Sequence, residues 1–266
     1  MSSLKCIRQG AAGILLFAIW LLTCLVLHRP QPEHLREFSM EQLLRTSLLP
    51  VGQTMYIWGG GWNQEDAGAG REAVTLGVSK RWAEYATRQT EAYDFDTTRY
   101  QSHDGLDCSG YIGWLLYNVF HTRNGETGYV TGASKMARAC AARGWGYLVQ
   151  GDYKPGDICS MEGHVWMSLG SCADGSVLLV HASPPGVRIC GTYLDDGTKS
   201  EAVKLAEQVM QRQYPAWYSR YPECGVGYFY LEDSVGMRWY TDEEADPYHL
   251  QGMQAEDVVH FLYPDM

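Results

Sequence analysis

The chain has 266 residues, 45% of them hydrophobic and 20% charged, which fits a folded protein of one sizeable domain and excludes a disordered one. Its 21 basic and 31 acidic side chains leave a formal charge of −10, and with no basic stripe beyond the N-terminus the composition argues against nucleic-acid binding. The eight cysteines form no C-x-x-C pair, so neither a zinc ribbon nor a dithiol redox motif is expected, and they are too sparse for a disulfide scaffold.

Lys5 and Arg8 precede an unbroken apolar run over residues 11–27, about the minimum length for crossing a bilayer. Positive charge before the run predicts the N-terminus inside and the remainder outside. The following HRPQPEHL contains no small-residue cleavage site. Lipidation at Cys24 is opposed by Thr23 before it and by Leu25, Val26 and Leu27, which continue the run. Residues 1–28 are therefore expected to be a cytoplasmic tip and transmembrane signal anchor. That makes a single-pass cell-membrane protein with the remainder of the chain, residues 29–266, extracytoplasmic. Residues 29–53 read as a proline-bearing juxtamembrane linker and a short helix, capped by Ser39 and stopped by Pro50.

An aromatic, β-branched run ending in three glycines, TMYIWGGGW, comes next, then a polar stretch with a helix-like patch over 80–90. DCSGYIGWLLYNVF (107–120) predicts a buried helix capped by Asp107, with Ile112, Leu115, Leu116, Val119 and Phe120 on one apolar face. KPGD (154–157) is a turn signal. Residues 164–170, 176–183 and 186–191 predict three strands, and Ser200 caps an amphipathic helix running to Gln213. An aromatic segment (YFYLEDSVGMRWY) and a last helix-like piece (AEDVVHFLY) end the sequence.

Two features carry chemistry. Cys108 stands where a helix should begin, so its sulfur would face free backbone N–H groups that favour a thiolate. If Gly170 pairs with Gly175 across a four-residue turn, His164 falls directly opposite His181 on one face of a hairpin, Cβ atoms about 5 Å apart. A thiol, a base and an orienting residue make an acyl-transfer constellation. His103 is an alternative base without that strand pairing, and Cys172 could pair with Cys190 as a disulfide. Cys108, His164 and His181 could also hold zinc, but a cysteine at a helix start suits thiolate chemistry better, so no metal or cofactor is expected.

Three blocks, GLDCSGYIGWLLYN, GDICSMEGHVWMSLG and VLLVHASPPGV, resemble those of the NlpC-type cell-wall endopeptidases, papain-like cysteine peptidases of peptidoglycan. The resemblance implies an α+β, circularly permuted papain-like fold, with the nucleophile at a helix start packed on an antiparallel sheet that carries the histidines. It implies Cys108 as nucleophile, His164 as general base and His181 as third polar residue. YIWGGG resembles the family's tyrosine-W-G-G block, which places Tyr56 beside the cysteine as an oxyanion donor with the Cys108 N–H. Asp107 and Ser109 match positions that hold the amino end of the muropeptide stem.

The expected activity is hydrolysis of an amide in the peptidoglycan stem peptide, by resemblance the γ-D-glutamyl-diamino acid bond, through a thioester. Alternatives are an N-acetylmuramoyl-L-alanine amidase on the same scaffold, or a wall-binding protein without turnover. The catalytic domain is expected over 54–190, with an insertion at about 62–105 that could wall the groove and a C-terminal extension over 191–266 packed on it. Expected partners are stem peptides and, through the N-terminal helix, a membrane. No segment predicts an oligomeric state.

Overall fold

Local chemistry sets the framework of the computed structural model, which describes residues 38–121 and 127–266. Helix α1 (Met40–Leu48) starts where the Ser39 hydroxyl accepts from the Gln42 N–H. Strand β1 (Met55–Tyr56) precedes the glycine turn, and α2 (Lys80–Thr87) is the helix expected in the polar stretch. Strand β2 (Gly105–Leu106) leads into α3 (Cys108–Phe120). Next come α4 (Met136–Ala142), β3 (Gly146–Val149), β4 (Ile158–Met161), β5 (His164–Ser171), β6 (Val177–Ser183) and β7 (Gly186–Thr192). Helices α5 (Glu201–Gln213) and α6 (Pro215–Tyr218), strand β8 (Gly225–Val226), α7 (Phe229–Glu232), β9 (Val235–Trp239) and α8 (Ala255–Leu262) complete it.

The fold is α+β. One mixed sheet runs β2-β1-β7-β6-β5-β4-β9-β3, with β8 added beside β7. The β1–β2 and β7–β8 pairs are parallel and the rest antiparallel. Helix α3 packs on β5, β6 and α1. Nearly every α3 residue is buried, whereas a single apolar face was predicted. The helix carries no charged side chain, so it can be covered all round.

The segment after residue 190 is part of the same sheet. β9 lies between β4 and β3, with Met237 opposite both Ile158 and Leu148. Phe38 stacks on Trp239 at 4.5 Å, and Phe120 packs against Trp239 at 5.8 Å, tying the end of α3 to this strand. A buried ion pair fixes the strand from its other side. The fully buried Asp157 of the KPGD turn meets Arg238 at 2.8 Å, and accepts from the Lys154 N–H at 2.8 Å.

The membrane placement expected from the sequence is corrected. Among the described residues no helix is long and apolar enough to cross a membrane. Helices α3 and α5, with 13 residues each, span about 20 Å against a hydrocarbon core of about 30 Å. The apolar run over 11–27 that was read as the anchor lies outside the described residues.

Arg238→Leu leaves Asp157 buried without its cation, so it is expected to cost about 3–5 kcal/mol of stability in urea titrations. A loss under about 1 kcal/mol would show that the pair does not hold β9 to the turn.

Candidate active site

Cys108 opens α3, and the extended Asp107 before it is the N-cap. Asp107 Oδ1 accepts from the Gly110 N–H at 2.7 Å and the Ser109 hydroxyl at 2.9 Å, while Oδ2 accepts from the Gly59 N–H at 3.2 Å. The Ser109 hydroxyl also accepts from the Trp62 indole N–H at 2.9 Å. These two side chains, matched by resemblance to substrate binding, brace the helix start against the glycine turn while still lining the cavity beside the thiol. Gly110 permits the close approach, because a Cβ there would overlap the Gly60 carbonyl oxygen.

The thiol is only 6% exposed. Burial, and next the Asp107 charge, push it up to about 12, against the N–H groups of Val165, Ser109 and Cys108 itself, which pull it down. The helix start thus favours a thiolate as the sequence suggests, but burial wins. The Val165 contact is the informative one, since Val165 follows His164 on β5 and brings the base-bearing strand onto the sulfur.

His164 Nε2 lies 3.0 Å from His181 Nδ1, with the rings edge to face. His164 Nδ1 is therefore the ring nitrogen that His181 does not engage. Burial lowers His164 to about 4. His181, fully buried, is held well below the ordinary histidine value, first by burial and then by the charges of His164 and Arg188. Near neutral pH the thiol and both imidazoles are uncharged.

The two rings meet by a different register from the one predicted. Gly170 pairs with Leu178, not Gly175, because the turn is longer. A bulge between Ser168 and Gly170 then shifts the ladder, so Met167 faces Val180, and that register carried on by one residue sets Trp166 level with His181. His164 is thus a diagonal neighbour of His181. Carried back without the bulge, the Gly170–Leu178 pairing would put His164 on the opposite face from His181. Gly170 allows the irregularity, with φ at +119°.

Tyr56, on β1, is buried, and its phenol is pushed up by burial first and then by the charges of Cys108 and Asp107. It stays a protonated donor close to the sulfur. Tyr93 holds the strand in place, donating to the Tyr56 carbonyl at 2.6 Å. A cavity of about 200 Å³ opens at the thiol, walled by Tyr56, Trp58, Trp62, Asp66 and Tyr100. A second cavity of about 620 Å³ shares Trp62, Asp66 and Tyr100 with it. The 62–105 segment therefore forms one wall of the space beside Cys108.

Sequence reasoning missed Tyr230 of α7. Its ring packs edge-on against His164 at 5.5 Å and His181 at 6.0 Å, and its hydroxyl feels the Cys108 charge. Nothing in YFYLEDS marks which tyrosine does this. His103, the alternative base, is instead bonded through Nδ1 to Glu72 at 2.6 Å in the larger cavity. The Cys172–Cys190 bridge is not formed. Both thiols are free, as β6 separates the turn holding Cys172 from β7. Among the described residues no group of three or more His, Cys, Asp and Glu is arranged to hold a metal ion.

Compared with known proteins, the chain matches no family model, no curated protein and no solved structure.

A neutral thiol–imidazole pair makes a specific expectation. Alkylation of Cys108 by iodoacetamide, followed on its peptide by mass spectrometry, should climb about tenfold per pH unit from neutral into the alkaline range. A rate already level at about pH 6 would reveal a standing thiolate–imidazolium pair and overturn the charge assignment.

Proposed function

We propose that the chain is a cysteine peptidase of the NlpC type, built on a circularly permuted papain-like fold, that hydrolyses an amide in the peptidoglycan stem peptide. The observation that carries this reading is the approach of the Val165 backbone N–H, which adjoins His164 on β5, to the thiol of a cysteine at a helix N-terminus, with His164 and His181 in contact with each other. The bond favoured, on the resemblance of the three sequence blocks, joins γ-D-glutamyl to the diamino acid.

In this reading each step is assigned to a group of the site. His164 Nδ1 takes the proton from Cys108 as the sulfur attacks the carbonyl carbon, which avoids a free thiolate in a buried site. The carbonyl oxygen gathers negative charge and accepts from the Cys108 N–H and the Tyr56 hydroxyl. The imidazolium keeps its Nε2–H bond to His181, then protonates the leaving amine as the C–N bond breaks. Water, deprotonated by His164, attacks the thioester and releases the acid and the thiol. Trp62 and Tyr100 wall the approach, so the acyl chain lies along the 62–105 segment.

Incubation of the purified protein with peptidoglycan is expected to release stem fragments identifiable by mass spectrometry. Cys108→Ala should abolish release with the fold unchanged, and retained cleavage would end the assignment. His164→Ala should lower the rate by about 10²–10⁴-fold. His181→Ala should lower it less, since an orienting residue is more replaceable than a base, and equal losses would refute the division of roles.

A further inference from the structure

Arg188 has no place in the constellation described so far, yet it is 8% exposed and sits directly across β6–β7 from His181. Cross-strand partners share a face. Among the described residues no carboxylate lies within ion-pair distance of its guanidinium, and its Nε is buried without a hydrogen-bond partner. The Nε2 of His181 is likewise buried and unpartnered. The guanidinium lies beside the Cys190 thiol, two residues along β7, and pulls it down against the rise that burial causes. A buried cation without a counter-charge is costly, and a sequence that carries one beside a histidine has put a fixed charge there.

The groups around His181 are few. His164 faces it from β5, Arg188 and Cys190 from β7, and Tyr230 from α7, with Cys108 on α3 within electrostatic reach of Tyr230. Cys224 and Glu223, just before β8, act on Cys190. The Glu223 carboxylate is taken by the Gly225 N–H at 3.0 Å and the Tyr193 hydroxyl at 3.3 Å. The dominant charge beside the second imidazole is therefore positive.

We propose that Arg188 is a positioning residue whose fixed charge behind His181 keeps that imidazole neutral, and so keeps the proton taken from Cys108 on His164. This rests on the reading of Cys108 as nucleophile and His164 as base. When His164 is an imidazolium, its Nε2–H points at His181 Nδ1 across 3.0 Å, a distance over which a proton can pass. Passage would leave two cations face to face, His181 and Arg188, and strand the proton away from the leaving amine. Arg188 makes that transfer uphill. His181 then acts as an acceptor that orients the base and does not become a base itself.

The test uses the whole protein with ¹³C-labelled histidine rings, the His181 signal being assigned with His181→Gln. Arg188→Met keeps the side chain's bulk and removes its charge. It is expected to raise the His181 titration by on the order of one pH unit and to move the acid limb of the activity profile the same way. It should also lower kcat several-fold with KM unchanged, since Arg188 touches no substrate. Arg188→Lys, which keeps the charge, should restore both titration and profile. An unmoved titration in a folded Arg188→Met protein, or a lysine variant that behaves like methionine, overturns the proposal. The ring titration is read equally well in Cys108→Ala, so it stands apart from activity. If that variant still cleaves substrate the nucleophile assignment falls, whatever the histidines do.

Discussion

The contact between the two imidazoles depends on a miscount in the β5–β6 ladder. One extra residue between Ser168 and Gly170 changes which face of β5 its even-numbered residues occupy. Ahead of the bulge His164 and Trp166 share the face of Leu179 and His181, and beyond it Gly170 pairs with Leu178. Sheet geometry allows only two faces, so a single residue decides whether His164 meets His181 or points away. The same parity puts Arg188 and Cys190 behind His181 and leaves Tyr230 to close over both rings. The two histidines, Arg188 and Cys190 thus occupy one face of three adjacent strands, while the Val165 backbone N–H, next to His164, reaches the sulfur.

The electrostatics of this arrangement run against a preformed ion pair. A helix N-terminus supplies partial positive charge worth a fraction of a kcal/mol to about 2 kcal/mol, which is less than the desolvation of a thiolate in a buried site. Asp107, needed to cap the helix, adds negative charge beside the sulfur. The site therefore rests neutral, and the chemistry proposed for it requires that proton transfer and attack occur together. Polar side chains around it are spent on rigidity. Asp107 holds three donors and Ser109 links it to Trp62, so the glycine turn, the insertion and the helix start move as one.

Much of this was legible in the sequence because the signals were local. Ser39, Asp107 and Ser200 each cap the helix predicted after them, and the three strands following residue 163 stand where alternation and turn residues placed them. The shared face of His164 and His181 was also legible, though the register behind it was not. A turn of assumed length gave the right parity because the longer turn and the bulge offset one another. Long-range partners left no local trace. Val235–Trp239 reads as one more aromatic segment until β3 and β4 are seen on either side of it. Tyr230 and Arg188 are ordinary residues in sequence, and only the sheet brings them to the histidines.

The interior position of β9 has a consequence for synthesis. Strands β3 and β4 leave the ribosome about 75–90 residues before the strand that must lie between them, and until then β4 has an unpaired edge and β3 has no strand to pair with. Such non-local pairing is slow to form and exposes edges while it waits. The wall supplied by Tyr230 arrives in the same late segment. A nascent chain can thus fold the Cys108 helix and the β5–β6 hairpin early and still lack a closed site, so that closure arrives as one of the last events of folding.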